Sequence, residues 1–258
     1  MTTKILVTGG TGTLGRAVLP LLRDAGADVR VLSRAERPAN DGVEFVAGDL
    51  LRGTGLDAAV AGADTVLHLA GDAKNDDVAT ANLLRAAAAA GVGHLVYISV
   101  TAADLLPMTY FRAKFAAEQA VAESGIPWTT LRAAQFHDFV LKLVDAMLKS
   151  PVLPVLGGVR LQPVHVREVA ARLAELTVGA PAGRVPDLVG PEVIGMRELI
   201  RDYVALLGKR RALLTVRVPG KAGRVYRAGG NLVTDGADVG KLTWADYLAE
   251  RRGAVSAG

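Results

Sequence analysis

Tyr110 and Lys114 stand four residues apart in the run Tyr110-Phe-Arg-Ala-Lys114. On a helix, residues at that spacing share a face, so a phenol and an ammonium would point into one cleft. A nearby cation favours the phenolate and lowers the phenol's pKa. A phenol tuned in this way can give or take a proton near neutral pH. The same ammonium can hold the ribose hydroxyls of a nucleotide. The alternative is a tyrosine packed at a helix start, with a lysine that is solvated or serves ribose alone. Ser99 and Thr101, at the end of the apolar run His94–Val100, offer hydroxyls for a reacting oxygen.

A proton donor of this kind needs a partner that moves electrons, and the amino-terminal residues suggest one. Gly9, Gly12 and Gly15 are spaced G-x-x-G-x-x-G, with Thr11, Thr13 and Leu14 between them. The run Ile5-Leu-Val7 before them reads as a buried strand, and Ala17–Leu22 after them has helical apolar spacing. In a strand–turn–helix of this kind, Gly9 serves the sharp turn and Gly12 lets a pyrophosphate approach the main chain. Gly15 lets the helix lie tight on the sheet. The unpaired N–H groups that open the helix favour an anion. The stretch therefore reads as a dinucleotide site, against the plainer reading of a structural β-turn-α.

Further residues fall where such a fold meets the rest of its cofactor. Ser33, Arg34 and Arg37 close the second apolar run, where an NAD-preferring chain carries Asp or Glu. A hydroxyl and forked guanidinium groups suit a 2′-phosphate, which favours NADP(H) over NAD(H). The plain alternative for Arg34 is a solvated loop charge. Asp49 and Leu50 follow the third run and could meet the adenine, or Asp49 could cap the next turn. Leu69, Ala70 and Gly71 follow the fourth and let backbone pass close to the cofactor. His68, inside an apolar run, reads as a satisfied core histidine, and His165 as structural. Phe136, His137 and Phe139 come directly after the sixth run; they suit the wall of an apolar substrate pocket, or equally a core. No His-Glu-x-x-His or comparable spacing is present, so no metal is expected.

The elements that must position these residues alternate. Strands are expected at residues 4–7, 27–33, 43–47, 64–69, 94–100 and 128–132, with helices between them. After these come a helix over 139–149 broken by Pro151 and Pro154, a helix from 162, a strand at 185–189, a helix over 196–207, a strand at 213–218 and a short helix from Thr243. The pattern is that of an α/β protein, a Rossmann doubly wound parallel sheet with a small C-terminal substrate lobe. Residues 1–258 read as a single NAD(P)-binding domain, the lobe formed mainly by about 133–165 and 180–240.

The chain has 258 residues, half of them hydrophobic, enough for a large core, and no apolar run long enough to span a bilayer. The absence of Cys excludes disulfides and thiolate chemistry. No leader pattern is seen, because Lys4 runs straight into the first strand. A cytoplasmic location is expected. The net charge of +4 is read as a solvated basic surface, without nucleic-acid or membrane partners. A monomer or homodimer is expected.

Taken together, these residues resemble the NmrA-like, atypical branch of the short-chain dehydrogenase/reductase superfamily. The resemblance covers almost the whole chain. It rests on Thr8–Gly15, Gly48-Asp-Leu50, Val96-Tyr-Ile-Ser99, Tyr110–Lys114 with Glu118, Ser124–Trp128, Leu131-Arg132 with Gln135–Phe139, and Thr243-Trp244. It implies a Rossmann sheet, NAD(P) binding and often reduction of quinones, dyes, enones or ketones. It also implies that Tyr110 and Lys114 are the catalytic pair. Two departures stand out. Val100 occupies the position where many members carry the catalytic serine, so Ser99 or Thr101 would substitute. Ala133-Ala134 replaces the proline often seen after the strand-six arginine. The expected function is an NADPH-dependent reductase of a small apolar ketone, enone or quinone. The alternatives are a non-catalytic NADP(H) redox sensor, or a cofactor-dependent isomerase or dehydratase.

Overall fold

Apolar runs of four to seven residues, closed by glycine, threonine or serine, build the strands; alanine- and leucine-rich stretches build the helices between them. The structure, a computed structural model, describes residues 2–72 and 74–256. In chain order the elements are β1 (Lys4–Thr8), α1 (Thr13–Asp24), β2 (Asp28–Ser33), β3 (Val43–Ala47), α2 (Leu56–Val60), β4 (Thr65–His68), α3 (Asp76–Ala89), β5 (His94–Val100), α4 (Thr109–Glu123) and β6 (Trp128–Ala133). They continue as α5 (His137–Met147), β7 (Val152–Gly157), β8 (Arg160–Leu161), α6 (Val166–Val178), β9 (Gly183–Arg184), β10 (Leu188–Val189) and β11 (Ile194–Gly195). The last are α7 (Met196–Leu206), β12 (Ala212–Arg217), α8 (Gly220–Arg227), β13 (Asp238–Val239) and α9 (Trp244–Ser256).

Two compact units result. The first holds residues 1–99, 109–132 and 167–185. Its strands run in the order β3-β2-β1-β4-β5-β6, and β1 pairs in parallel with both β2 and β4. That is the Rossmann order, and the direction of winding reverses between β1 and β4. In such sheets the ligand crevice opens at that reversal, outside the carboxyl ends of the strands. Leu6, Val66, Leu83, Leu95, Tyr97 and Val121 form the core on one side of the sheet. Buried on both faces, β4 and β5 expose nothing, as parallel strands in this position must.

The second unit holds residues 100–108, 133–166 and 186–258. Val140, Val144, Leu153, Val155, Leu199, Ile200 and Trp244 form its core. The helix before the prolines ends at Met147, ahead of Pro151, as expected. The strand that follows was not expected: β7 runs through Pro154 and pairs in parallel with β12, Pro154 opposite Leu214. A strand with a single neighbour points alternate N–H groups away from the ladder, so a proline can sit there without losing a bond. The strand expected at 185–189 shortens to Leu188–Val189, and the helix expected from Phe139 begins two residues earlier, at His137. No helix among the described residues is long and apolar enough to cross a membrane.

Candidate active site

The loop after β1 packs backbone against backbone. Gly9 takes a φ of +70°, and a Cβ there would lie 2.6 Å from Ala70 N. A Cβ on Gly15 would lie 2.5 Å from the Gly10 Cα, so α1 can lie this close to the turn only without a side chain. Gly12 N–H closes the turn on the Gly9 carbonyl at 3.0 Å. Gly12 is also the N-cap of α1 and brings no side chain to its first N–H groups. An anion can therefore serve as their acceptor. The loop opens into a cavity of about 480 Å³ lined by Gly9, Thr11, Gly12, Ser33, Arg34, Asp49, Leu50, Leu69, Ala70 and Gly71, with Thr8, Leu32, Gly48, Leu51, Asp72 and Ala79. A bare helix start, a glycine cradle and a cavity at the β1/β4 reversal fit a dinucleotide.

A buried polar network stands against this cavity. Lys114, on α4, has three ammonium protons and three acceptors: Ile98 O at 3.1 Å, the Tyr97 hydroxyl at 3.2 Å and Asp76 Oδ2 at 3.1 Å. Tyr97 in turn donates to Asp76 Oδ2 at 2.6 Å. Asp76 Oδ1 accepts the N–H of the cavity-lining Asp72 at 3.1 Å. Desolvation lowers the Lys114 pKa, and the Asp76 carboxylate works against that shift. The same two influences, burial first and Asp76 second, push the Tyr97 phenol well up. A Cβ on Gly71 would lie 3.6 Å from Lys114 Nζ, which places the ammonium at the cavity wall.

Tyr110 opens α4 and keeps 38% of its surface in solvent. Its phenol is pushed up to about 12, mainly by the protein atoms that crowd it and then by Asp76. The shift is opposite to the depression expected from Lys114: desolvation raises the phenol most, and the Asp76 carboxylate beside Lys114 adds to it. Ser99 is buried, and its hydroxyl has no protein partner among the described residues. Glu118 on α4 receives the Arg132 guanidinium on β6 in a forked pair at 2.8 and 2.7 Å, which ties the helix carrying Tyr110 and Lys114 to the sheet.

Nearby polar groups serve the scaffold. Ala70 N–H donates to Thr8 Oγ1 at 3.2 Å; Thr8 Oγ1 meets His68 Nδ1 at 2.7 Å, and His68 Nε2 meets Thr80 Oγ1 at 3.0 Å. Burial lowers His68 to about 4, so it is neutral and satisfied, as a core histidine should be. Asp49 Oδ1 accepts the N–H groups of Leu51 and Arg52 at 2.8 and 3.1 Å, the turn-capping role.

In the second unit, Thr101 is buried with an unpartnered hydroxyl. Phe136 is half-buried and Phe139 is 49% exposed. Of the two readings of His137, pocket wall or core, its surroundings fit the core: it is fully buried, stacked on Tyr247 at 4.9 Å, with Trp244 and His165 at 5.6 and 5.8 Å.

Comparison with known proteins agrees with this geometry. Residues 9–150 match the model of a family described as NAD(P)H-binding. A curated relative from Streptomyces griseus, (4-alkanoyl-5-oxo-2,5-dihydrofuran-3-yl)methyl phosphate reductase, is 37% identical over 80% of this chain and 74% of its own length. The chain belongs to the NAD(P)H-binding family. The NAD(P)H azoreductase of Xenophilus azovorans is 30% identical over the same shares of the two chains. A similar fold is seen in the NADPH complex of an Escherichia coli NADPH-dependent quinone oxidoreductase, with a TM-score of 0.78 at 20% identity over 98% of this chain and 99% of that one. The Citrobacter triphenylmethane reductase gives 0.74 at 23% identity over 96% and 99%.

For an NAD(P)H-binding chain, the cavity gathers ten of the residues singled out from sequence. Thr13, Leu14 and Gly15 sit behind it at the start of α1. Arg37, Ser99 and Lys114 are outside its lining, although Lys114 stands within reach of Gly71. The residues missed are Asp76 and Tyr97. Tyr97 lies in an unbroken apolar strand and Asp76 looks like one of two ordinary acids at a helix start; only their meeting with Lys114 sets them apart.

Proposed function

We propose that this NAD(P)H-dependent reductase saturates an electron-poor carbon–carbon double bond conjugated to a carbonyl, with NADPH as the preferred donor. The carrying observation is the placement of the Lys114 ammonium against Gly71 in the wall of the glycine-loop cavity, four residues after Tyr110. The Streptomyces relative's name describes an alkanoyl-substituted unsaturated lactone, which is an acceptor of this class.

When bound, the dihydronicotinamide supplies a hydride to the β-carbon of the acceptor and leaves as the oxidised cofactor. Tyr110 gives its phenolic proton to the carbonyl side of the acceptor and regains one from solvent. Its raised pKa keeps that proton in place at neutral pH, the form needed for reduction. Lys114, turning one of its three protons away from the Tyr97 hydroxyl, holds the nicotinamide ribose. Ser99, with an unpartnered buried hydroxyl, donates to the substrate oxygen. Ser33, Arg34 and Arg37 receive the 2′-phosphate, and Asp49 and Leu50 flank the adenine.

The test is NADPH oxidation with a panel of acyl butenolides, quinones and simple ketones. Turnover of the butenolides, reduced at least about a hundredfold in Tyr110→Phe, is the expected result. Reduction of ketones alone would remove the conjugated-alkene reading, and equal turnover by the variant would remove Tyr110 from the chemistry.

A further inference from the structure

The outer face of the β7/β12 pair is apolar throughout. Leu153 and Val155 point into the core of the second unit, and the alternate residues point out. The outward set is Val152, Pro154 and Leu156 on β7, opposite Ala212, Leu214 and Val216 on β12, and all six are exposed. Solvent faces of sheets normally alternate to polar residues. The strands present this face over about 20 Å.

The segment that carries β12 is charged in one sign only. From Tyr203 to Thr234 the chain carries seven Lys and Arg and no Asp or Glu. Without those seven, the chain would hold 23 cations against 26 acids, so the whole positive balance comes from this segment. The excess basic charge is therefore concentrated in one segment. Lys209, Arg210 and Arg211 precede β12; Arg217 ends it, and Lys221 and Arg224 follow on α8. The helix folds back onto the strand end, where Arg227 Nη1 donates to the Val218 carbonyl at 3.0 Å. Cations thus stand at both ends of the apolar face, and except for Arg211 those six are exposed.

We infer that this face is a docking surface for an anionic phospholipid bilayer. The aliphatic residues enter the headgroup–acyl boundary while the long basic side chains reach the phosphates. The contact is peripheral and needs no spanning helix. A second copy of the chain fits less well, because face-to-face pairing would oppose one dense cationic rim to another. The inference stands independently of the reductase reading.

The experiment is co-flotation of the full chain with vesicles of phosphatidylcholine alone or mixed with phosphatidylglycerol. Retention on the mixed vesicles at low salt, lost at high salt, is expected. Leu214→Ser/Val216→Ser and Lys221→Glu/Arg224→Glu should each weaken retention at least about tenfold. Unchanged NADPH affinity and melting temperature in both variants would show that the fold is intact. Failure to float with anionic vesicles, or flotation indifferent to both variants, would overturn the inference. So would a variant-sensitive dimer in light scattering without vesicle binding, which would make the face an interface between copies.

Discussion

Asp76 Oδ2 is shared by the Tyr97 hydroxyl at 2.6 Å and the Lys114 ammonium at 3.1 Å, and all three side chains are buried. A buried ammonium without its counter-ion is costly, and removing one partner of a buried pair typically costs about 3–5 kcal/mol. Asp76→Asn should therefore lower the stability in urea by a few kcal/mol, read as an earlier midpoint at unchanged slope. The same change should bring the Tyr110 titration to lower pH, because Asp76 is the second influence holding that phenol up. Ultraviolet absorbance of tyrosinate in the variant and the parent reads this directly. A midpoint that does not move would mean that Ile98 O and Tyr97 alone suffice for the ammonium.

Tyr110 gives a pH signature that separates donor from acceptor. With its phenol at about 12 in the free protein, the proton is present throughout the neutral range. The protonated form is lost only as pH rises through that value, so reduction should show no alkaline fall from this group near neutrality. Oxidation, which needs the phenolate, should be slow at neutral pH and rise with pH. Tyr110→Phe should leave NADPH affinity near the parent's and cut reductive turnover by about 10²–10⁴. A reductive profile falling between pH 7 and 9 in the parent, and flat in the variant, would mean that bound cofactor resets the phenol.

Arg34 is exposed at the cavity lip beside Ser33, whose hydroxyl accepts the Ala35 N–H at 3.3 Å. A charged hydrogen bond to a phosphate is worth about 1.5–3 kcal/mol. Arg34→Ala should weaken NADPH binding by roughly tenfold or more and leave NADH binding nearly untouched. Isothermal titration with both cofactors measures it. Equal losses for both would assign Arg34 to the shared part of the nucleotide.

The first unit was legible because its rules are local. A strand of consecutive apolar residues, a glycine whose Cβ would strike Ala70, and a helix with no side chain at its cap all leave marks within a few residues of one another. Ser33, Asp49 and Gly71 could be placed from strand ends alone, since a Rossmann sheet brings its strand ends to one crevice. The Asp76–Tyr97–Lys114 network left no such mark, because its members come from two helices and a strand separated in sequence. β7 was hidden for another reason. Its prolines are breakers in most settings, and only a pairing with β12, some sixty residues on, makes Pro154 harmless. His137 stayed ambiguous between pocket wall and core, because the partners that bury it, Trp244 and Tyr247, lie a hundred residues further along.

That burial makes His137 an acid-sensitive element. Both of its ring nitrogens lack protein partners among the described residues, and burial, reinforced by His165, lowers its pKa from 6.5 to about 4; Asp138 and Glu250 oppose the shift. The unfolded chain therefore binds a proton between those two values that the folded chain refuses. Stability is full above pH 6.5 and declines as pH falls toward 4, by up to about 3 kcal/mol for this residue. His68, also lowered to about 4, acts in the same window and direction. Phe fits between the same rings and carries no proton. His137→Phe should match or exceed the parent's stability at pH 7 and show a visibly shallower loss on acidification, measured as urea midpoints across the pH range. If the variant instead loses stability equally at every pH, the imidazole is held by a hydrogen bond to water, and its neutrality is not what acidification attacks.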